Sequence, residues 1–182
     1  MKTIKNSNSI RLDFSLISLV PNNLEEYSDI LTDKSELTRF INLKNKKHNQ
    51  NERAGILMGK KKEFPDRIQI TVTHIIEDLN PNSRSQFSVE RITNHIFTQM
   101  KEIKKEHPNL DYIGEWHTHP KGPKQGSFLD HLSMMEMIDN PDFGRILWAV
   151  LLIFVPKSPP IGYYYDKDNI MSITINIQEK EE

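Results

Sequence analysis

The sequence predicts a single domain of the α/β (α+β) class, with a mixed β-sheet flanked by helices. Runs typical of strands interleave with segments of helical periodicity, and the chain ends in antiparallel-looking strand runs. We find no internal repeat or flexible linker in the 182 residues, a length at which about 70% of the unfolded chain's surface becomes buried. One hydrophobic core is therefore expected.

The first half of the chain predicts a strand, a helical region and a hairpin. Residues 10–20 alternate apolar and polar positions and favour a strand, whereas apolar residues at helical spacing over 23–46 indicate one bent helix or two short ones. Residues 54–59 and 68–76 are β-rich and predict a hairpin, and the run from Lys60 to Lys62 is interpreted as a solvated turn within its charged connection.

The second half predicts two helices and four strands. An apolar stripe over 88–106, with Pro108 just beyond, predicts a helix, and a second helix is expected from Ser127 to about Asp139. The expected strands cover 110–119, 146–155, 161–165 and 170–177. Residues 1–19 are expected to add a strand segment to the same domain, 20–178 to form its body and 179–182 to be a frayed acidic tail.

Composition excludes several classes of protein. The chain has no cysteine, so a thiol nucleophile, a disulfide framework and a cysteine zinc site are excluded, and any metal must be bound by His, Asp or Glu. The net charge of -1 gives no general attraction to nucleic acid or to an anionic membrane. The N-terminal sequence does not read as an export signal, and the longest apolar run has 10 residues, so a cytoplasmic protein is expected.

One segment concentrates residues that bind metals. His117 and His119 lie two apart on a predicted strand that Pro120 ends, so their rings project to one side and can converge on one ion. Asp130 follows Ser127 by one turn of the next helix, and it would supply a carboxylate ligand. Two imidazoles and a carboxylate leave a fourth position for water, the pattern of a catalytic zinc site.

Glu52 and Ser127 are the further candidates. Glu52 precedes a predicted central strand, from which a carboxylate can reach a metal-bound water as a base. Ser127 and Asp130 also form a capping-box pattern, so by themselves they favour a simple helix start. The joint pattern of two histidines, Ser and Asp has a chance probability of about one in a thousand, which favours a functional site.

These residues resemble the JAMM, or MPN-plus (JAB domain), zinc metalloprotease family. Its signature is a Glu, then H-x-H, seven residues and S-x-x-D, and here seven residues separate His119 from Ser127. The resemblance extends to the E-x-x-G-I-L-x-G strand from Glu52 to Gly59 and to the phrase G-E-W-H-T-H-P of prokaryotic members. It covers about residues 20–178. The prokaryotic members of the family include deconjugating peptidases of ubiquitin-like transfer systems and of CBASS anti-phage defence.

The resemblance implies an MPN/JAB-like fold and a role for each site residue. His117, His119 and Asp130 would bind one zinc ion per chain, Glu52 would be the general base and proton shuttle, and Ser127 would stabilise the oxyanion. Many relatives have Pro before this serine. This chain has Gly126, which predicts a more mobile loop.

The resemblance also implies a substrate class. The enzyme would be a zinc isopeptidase or peptidase that hydrolyses the amide bond after the C-terminal glycine of a ubiquitin-like protein, in deconjugation or maturation. Its partners would be this modifier or its conjugate, with E1-like and E2-like transfer proteins, in a setting that includes anti-phage defence. The alternatives are a peptidase that processes a sulfur-carrier protein, a catalytically silent MPN scaffold and the DNA-linked RadC-like branch, which the neutral charge disfavours.

Overall fold

A computed structural model describes residues 29–33, 52–65, 68–78, 94–120, 123–156, 158–173 and 175–178. The strand predicted over 10–20, the segments 1–19 and 179–182, and the start of the helix predicted over 88–106 lie outside these residues. The elements are β1 (Asp29–Asp33), β2 (Ala54–Glu63), β3 (Ile68–Glu77), α1 (Asn94–Glu106), β4 (Asp111–Thr118), α2 (Phe128–Met137), a short 3-10 turn (Pro141–Phe143), β5 (Trp148–Phe154), β6 (Ile161–Asp166), β7 (Ile170–Ile173) and β8 (Ile175–Gln178).

The eight described strands form one mixed sheet in the order β7-β6-β5-β4-β2-β3-β1-β8. β4 lies near the centre, antiparallel to β2 and parallel to β5. The two outermost strands, β7 and β8, follow each other in the chain with one residue between them. Both edges of the sheet therefore meet near residue 174, which requires a strongly curved sheet.

The concave face of this sheet encloses one apolar cluster. A Cβ added at Gly162 on β6 would lie 3.2 Å from Cδ1 of Ile175, so β8 reaches across to β6. Trp116 is fully buried in this cluster, and its Nε1 donates a hydrogen bond to the carbonyl of Ile76 at 3.0 Å. The cluster also contains Leu57, Ile70, Val72, Ile75, Ile113, Val150, Leu152, Phe154, Tyr164 and Ile173.

Both described helices cover the convex face. Ile96 of α1 is buried against Ile56, Met58 and Ile76. Met134 and Met137 of α2 pack against a second set on β5 and β6, which includes Ala149, Leu151, Ile153 and Tyr165. A mixed sheet with helices against it confirms the predicted fold class. Within the described residues, neither helix is long and apolar enough to cross a membrane.

The helix predicted over 23–46 is wrong where the structure describes this region. Residues Asp29–Asp33 form β1, which pairs in parallel with β3 on one side and with β8 on the other. Apolar residues at helical spacing cannot reveal such pairing, because the neighbouring strands are distant in sequence. Over so few residues, helical and strand periodicities are difficult to tell apart. The backbone hydrogen bonds that β1 makes with the strands on both sides therefore determine its conformation.

The turn predicted at Lys60 to Lys62 is also wrong, although the predicted hairpin is confirmed. β2 and β3 are antiparallel, and their pairing continues from Lys60 to Glu63. Lys61 is held in the strand because its ammonium lies 4.6 Å from the ring centroid of Trp148 and 2.7 Å from a carboxylate oxygen of Glu63. Its aliphatic stem covers apolar surface while the charge stays near water.

The single strand predicted over 170–177 is divided in two. β7 pairs antiparallel with β6, and β8 pairs in parallel with β1 at the opposite edge of the sheet. The sequence pattern is one continuous strand run, because both halves are strands. The division arises from the closure of the curved sheet, which a local pattern does not encode.

Candidate metal centre

A bulge in β4 sets the direction in which the histidines point. Leu57 of β2 pairs with Gly114 and Met58 pairs with Tyr112, so Ile113 is an extra residue on β4. Gly114 has φ of 148°, and a Cβ there would lie 1.9 Å from the carbonyl oxygen of Val150. Only glycine fits this backbone. After the bulge, alternation resumes with His117 on the convex, helix-covered face.

The structure brings His117, His119 and Asp130 together. The two histidines are 4% and 5% exposed, and their Nε2 atoms lie 3.0 Å apart. His117 Nε2 lies 3.4 Å from Asp130 Oδ1, and His119 Nε2 lies 3.5 Å from Asp130 Oδ2. The three side chains form the one group of possible metal ligands found among the described residues, with all ligand atoms within 4.8 Å of one another.

The orientation of the rings suits a metal ion. The Nδ1 of His119 lies 3.1 Å from the carbonyl oxygen of Pro123, which accepts its hydrogen and leaves a lone pair on Nε2. The Nδ1 of His117 is buried without a hydrogen-bond partner among the described residues, so the polar contacts of this ring run through Nε2. Two nitrogens bound tetrahedrally to zinc at about 2.0–2.1 Å lie about 3.3 Å apart, and the observed separations are of that size.

Asp130 and Ser127 are held by the start of α2. The Ser127 side chain accepts a hydrogen bond from the Asp130 N–H at 3.2 Å, and the Ser127 N–H donates to Asp130 Oδ2 at 2.7 Å. The capping box is therefore present. Desolvation alone would raise the pKa of Asp130, but hydrogen bonding and charge from His117, with the hydrogen bonds from Ser127, hold it below its ordinary value. Asp130 is thus a carboxylate at neutral pH.

Glu52 lies at the end of the neighbouring strand. The Arg53 N–H donates to Thr118 Oγ1 at 2.9 Å, and the Thr118 N–H donates to the Arg53 carbonyl at 2.8 Å, so the β2–β4 pairing continues past Ala54. Ala54 is the register partner of His117. Strand alternation therefore places Glu52 on the same side as His117. Its side chain is exposed, and it is not a member of the three-residue ligand group.

A second polar cluster lies next to the ligands and consists of residues that the sequence pattern did not assign to the site. His131 Nδ1 lies 2.7 Å from the Tyr165 hydroxyl, and the Gly126 N–H donates to the Tyr163 hydroxyl at 3.0 Å. Burial lowers the pKa of His131, against the charge of Asp130, and burial raises the pKa of Tyr165. Alternation along the Tyr-Tyr-Tyr run could have placed Tyr163 and Tyr165 on one face. Their contact with α2 depends on tertiary packing and has no local signal.

The fold and this ligand group define an α/β domain with a candidate metal centre at the end of a central strand. The chain belongs to the family of prokaryotic homologs of the JAB domain, whose model matches residues 34–162. This match confirms the resemblance drawn from the sequence motif.

Two individual proteins are similar to this chain, one in sequence and one in fold. The chain is 25% identical over 109 residues to the CD-NTase/cGAS isopeptidase of Escherichia coli (strain TW11681), a match that covers 59% of this chain and 67% of the relative. The fold is similar to the solution structure of protein DSY2949 from Desulfitobacterium hafniense, with a TM-score of 0.55 and 19% identity. That likeness covers 83% of this chain and 94% of the other, and it concerns the fold alone.

Proposed function

We propose that this protein is a zinc-dependent peptidase that hydrolyses the amide bond after the C-terminal glycine of a ubiquitin-like protein. The observation that carries the proposal is the convergence of His117, His119 and Asp130 at the capped start of α2. Two imidazoles and a carboxylate are the ligand set of an open zinc site, which keeps a position for water or substrate. A zinc ion held there would supply Lewis acidity, which polarises a carbonyl and makes water nucleophilic near neutral pH.

Glu52 is proposed as the general base. Its carboxylate removes a proton from the attacking water as the water oxygen bonds to the carbonyl carbon of the substrate. It then returns that proton to the amine nitrogen as the C–N bond breaks. The products are a modifier with a free C-terminal carboxylate and an acceptor with a free amine. A position at a strand end, exposed and outside the ligand group, supports a carboxylate that moves protons rather than one that binds metal.

Ser127 is proposed to donate a hydrogen bond to the oxyanion. Its oxygen accepts the Asp130 N–H through a lone pair, so its own hydroxyl hydrogen remains available to the substrate. Helix capping and oxyanion stabilisation are therefore compatible in one side chain. Removal of such a donor usually slows an enzyme about a hundredfold or more.

The proposed substrate is a conjugate of a ubiquitin-like protein. Family membership and a relative that is named a CD-NTase/cGAS isopeptidase support an isopeptide bond, and they support an acceptor of the CD-NTase/cGAS type. E1-like and E2-like transfer proteins would make such a conjugate. We propose on this basis that the protein acts in bacterial anti-phage defence, where removal of the modifier would reverse its attachment.

A fusion protein tests the proposed reaction. The substrate carries a ubiquitin-like protein that ends in glycine, followed by a reporter domain, and it is incubated with zinc-loaded enzyme. Mass spectrometry is expected to show one cut, directly after that glycine. Replacement of the glycine by Leu is expected to lower kcat/KM by at least about a hundredfold, because a bulky side chain at the scissile position would displace the carbonyl carbon from the attacking water.

Other outcomes of this experiment would contradict the proposal. Cleavage at scattered sites in unfolded casein, with the fusion intact, would identify a general peptidase. Binding of the fusion by zinc-loaded protein without cleavage would identify a scaffold. Cleavage only of a fusion that carries a sulfur-carrier protein would assign the alternative substrate.

A further inference from the structure

We propose that Tyr163 and His131 are positioning residues, which hold the loop before Ser127 so that its hydroxyl faces the reacting carbonyl. The serine loop is defined here as residues 123–127, between the second histidine ligand and α2. The inference rests on the proposed function, because it assigns a purpose to the position of Ser127. It concerns contacts of the serine loop with β6 and α2 that lie outside the ligand group.

Tyr163 fixes the residue that immediately precedes the serine. Its hydroxyl accepts the Gly126 N–H at 3.0 Å across 37 positions of sequence. Tyr163 projects from β6, in register with Leu151 of the buried strand β5, so the hydroxyl is carried by a rigid part of the sheet. A backbone N–H that is anchored to such a support cannot shift without the loss of a hydrogen bond.

His131 fills the space beside Gly126. A Cβ at residue 126 would lie 2.8 Å from Cε1 and 2.8 Å from Nε2 of the His131 ring, and 3.3 Å from Cε2 of Tyr163. The ring is held in place by the Tyr165 hydroxyl at 2.7 Å and by an edge-to-face contact with Tyr163 at a centroid distance of 4.8 Å. A larger residue at 126 would therefore push the serine loop outward, since the ring is anchored.

The serine loop is also attached to the ligand group at both ends. The carbonyl of Pro123 accepts from His119 Nδ1 at 3.1 Å, and the Ser127 N–H donates to Asp130 Oδ2 at 2.7 Å. Gly126 is thus held at its N–H and by the lack of space at its Cα, which gives it a defined place in the loop. A displacement of about 1 Å in a catalytic group can lower a rate about a hundredfold, so these contacts have a direct consequence for turnover.

The first test removes one hydroxyl group. Tyr163→Phe is expected to keep its zinc content and fold and to hold KM within about twofold, while kcat on the fusion falls about tenfold, the signature of lost transition-state alignment. The exchange of the Gly126 amide hydrogen with solvent, measured by NMR, is expected to become at least about tenfold faster, because its hydrogen bond is gone. Tyr112→Phe is the matched control, since it removes the hydroxyl of a tyrosine on β4 that donates to the Met137 sulfur at 3.3 Å.

The second test uses Gly126 and His131 together. Gly126→Ala is expected to lower kcat about a hundredfold in the wild-type background but less than about threefold in a His131→Ala background, where the two closest contacts of the added Cβ are removed. This difference reports the contact itself and does not depend on the absolute activity of either variant.

The proposal is overturned if Tyr163→Phe turns over the fusion at the wild-type rate, or if it loses zinc in parallel with activity. Equal effects of Gly126→Ala in both backgrounds would also overturn it. If the wild-type protein does not cleave the fusion, the proposed function fails. The amide exchange still tests the hydrogen bond from Gly126 to Tyr163 in that case. Equally fast exchange of the Gly126 amide in wild type and in Tyr163→Phe would show that the Tyr163 hydroxyl does not hold the serine loop.

Discussion

His119→Ala is expected to leave the protein with less than a tenth of its zinc and without measurable hydrolysis. His119 is buried, its Nε2 lies 3.0 Å from that of His117, and its Nδ1 also holds the serine loop through Pro123. Lewis-acid catalysis supplies several kcal/mol of transition-state stabilisation, so we expect kcat/KM to fall by at least about a thousandfold. Elemental analysis and the fusion assay on the same preparation measure both effects.

The matched control for this variant is His95→Ala, which replaces an exposed histidine on α1 that bonds to Gln99. It should retain full zinc content and activity. Undiminished zinc content in His119→Ala, and in the double variant that also carries His117→Ala, would contradict the assignment of these histidines as metal ligands. A loss of zinc in the control variant would show that the assay reports unfolding instead.

Glu52→Gln is expected to separate proton transfer from metal binding. The amide cannot accept the proton of the attacking water, so kcat should fall by at least about a hundredfold, the usual scale of general acid–base catalysis. Zinc content should stay at the wild-type level, because Glu52 is outside the ligand group. The fold should also remain, since the adjacent Arg53 is anchored by its pairing with Glu77 rather than by Glu52.

Glu106→Gln provides the control for charge, since Glu106 is exposed at the end of α1. Near-normal turnover by Glu52→Gln would place the base elsewhere. Glu115 would then be the next candidate, because the register of β4 puts it on the same face as His117, between Ile56 and Leu151.

Local patterns predicted the parts of the fold whose signals are local. The hairpin of β2 and β3, the capped helix α2 and the buried strand β5 all follow from alternation, capping residues or continuous apolar runs. Ser127 and Asp130 illustrate this well, since one short pattern encodes both the helix start and the relative placement of a candidate donor and a candidate ligand.

The remaining features depend on contacts between distant segments. β1 is a strand because β3 and β8 pair with it, and neither neighbour is visible in the sequence around residue 30. The bulge at Gly114 depends on the close approach of Val150, and the partners of Gly126 lie on α2 and β6. Glycine permits such a close approach, but its presence in the sequence does not identify the neighbour.

Removal and restoration of zinc tests the central claim most directly. The protein is stripped with a chelator, shown by elemental analysis to be metal-free, and then titrated with zinc while cleavage of the fusion after its glycine is measured. We expect no cleavage by the metal-free protein and full activity at one zinc per chain, bound through His117, His119 and Asp130. Undiminished cleavage by the metal-free protein, or a protein that binds no zinc, would contradict the account.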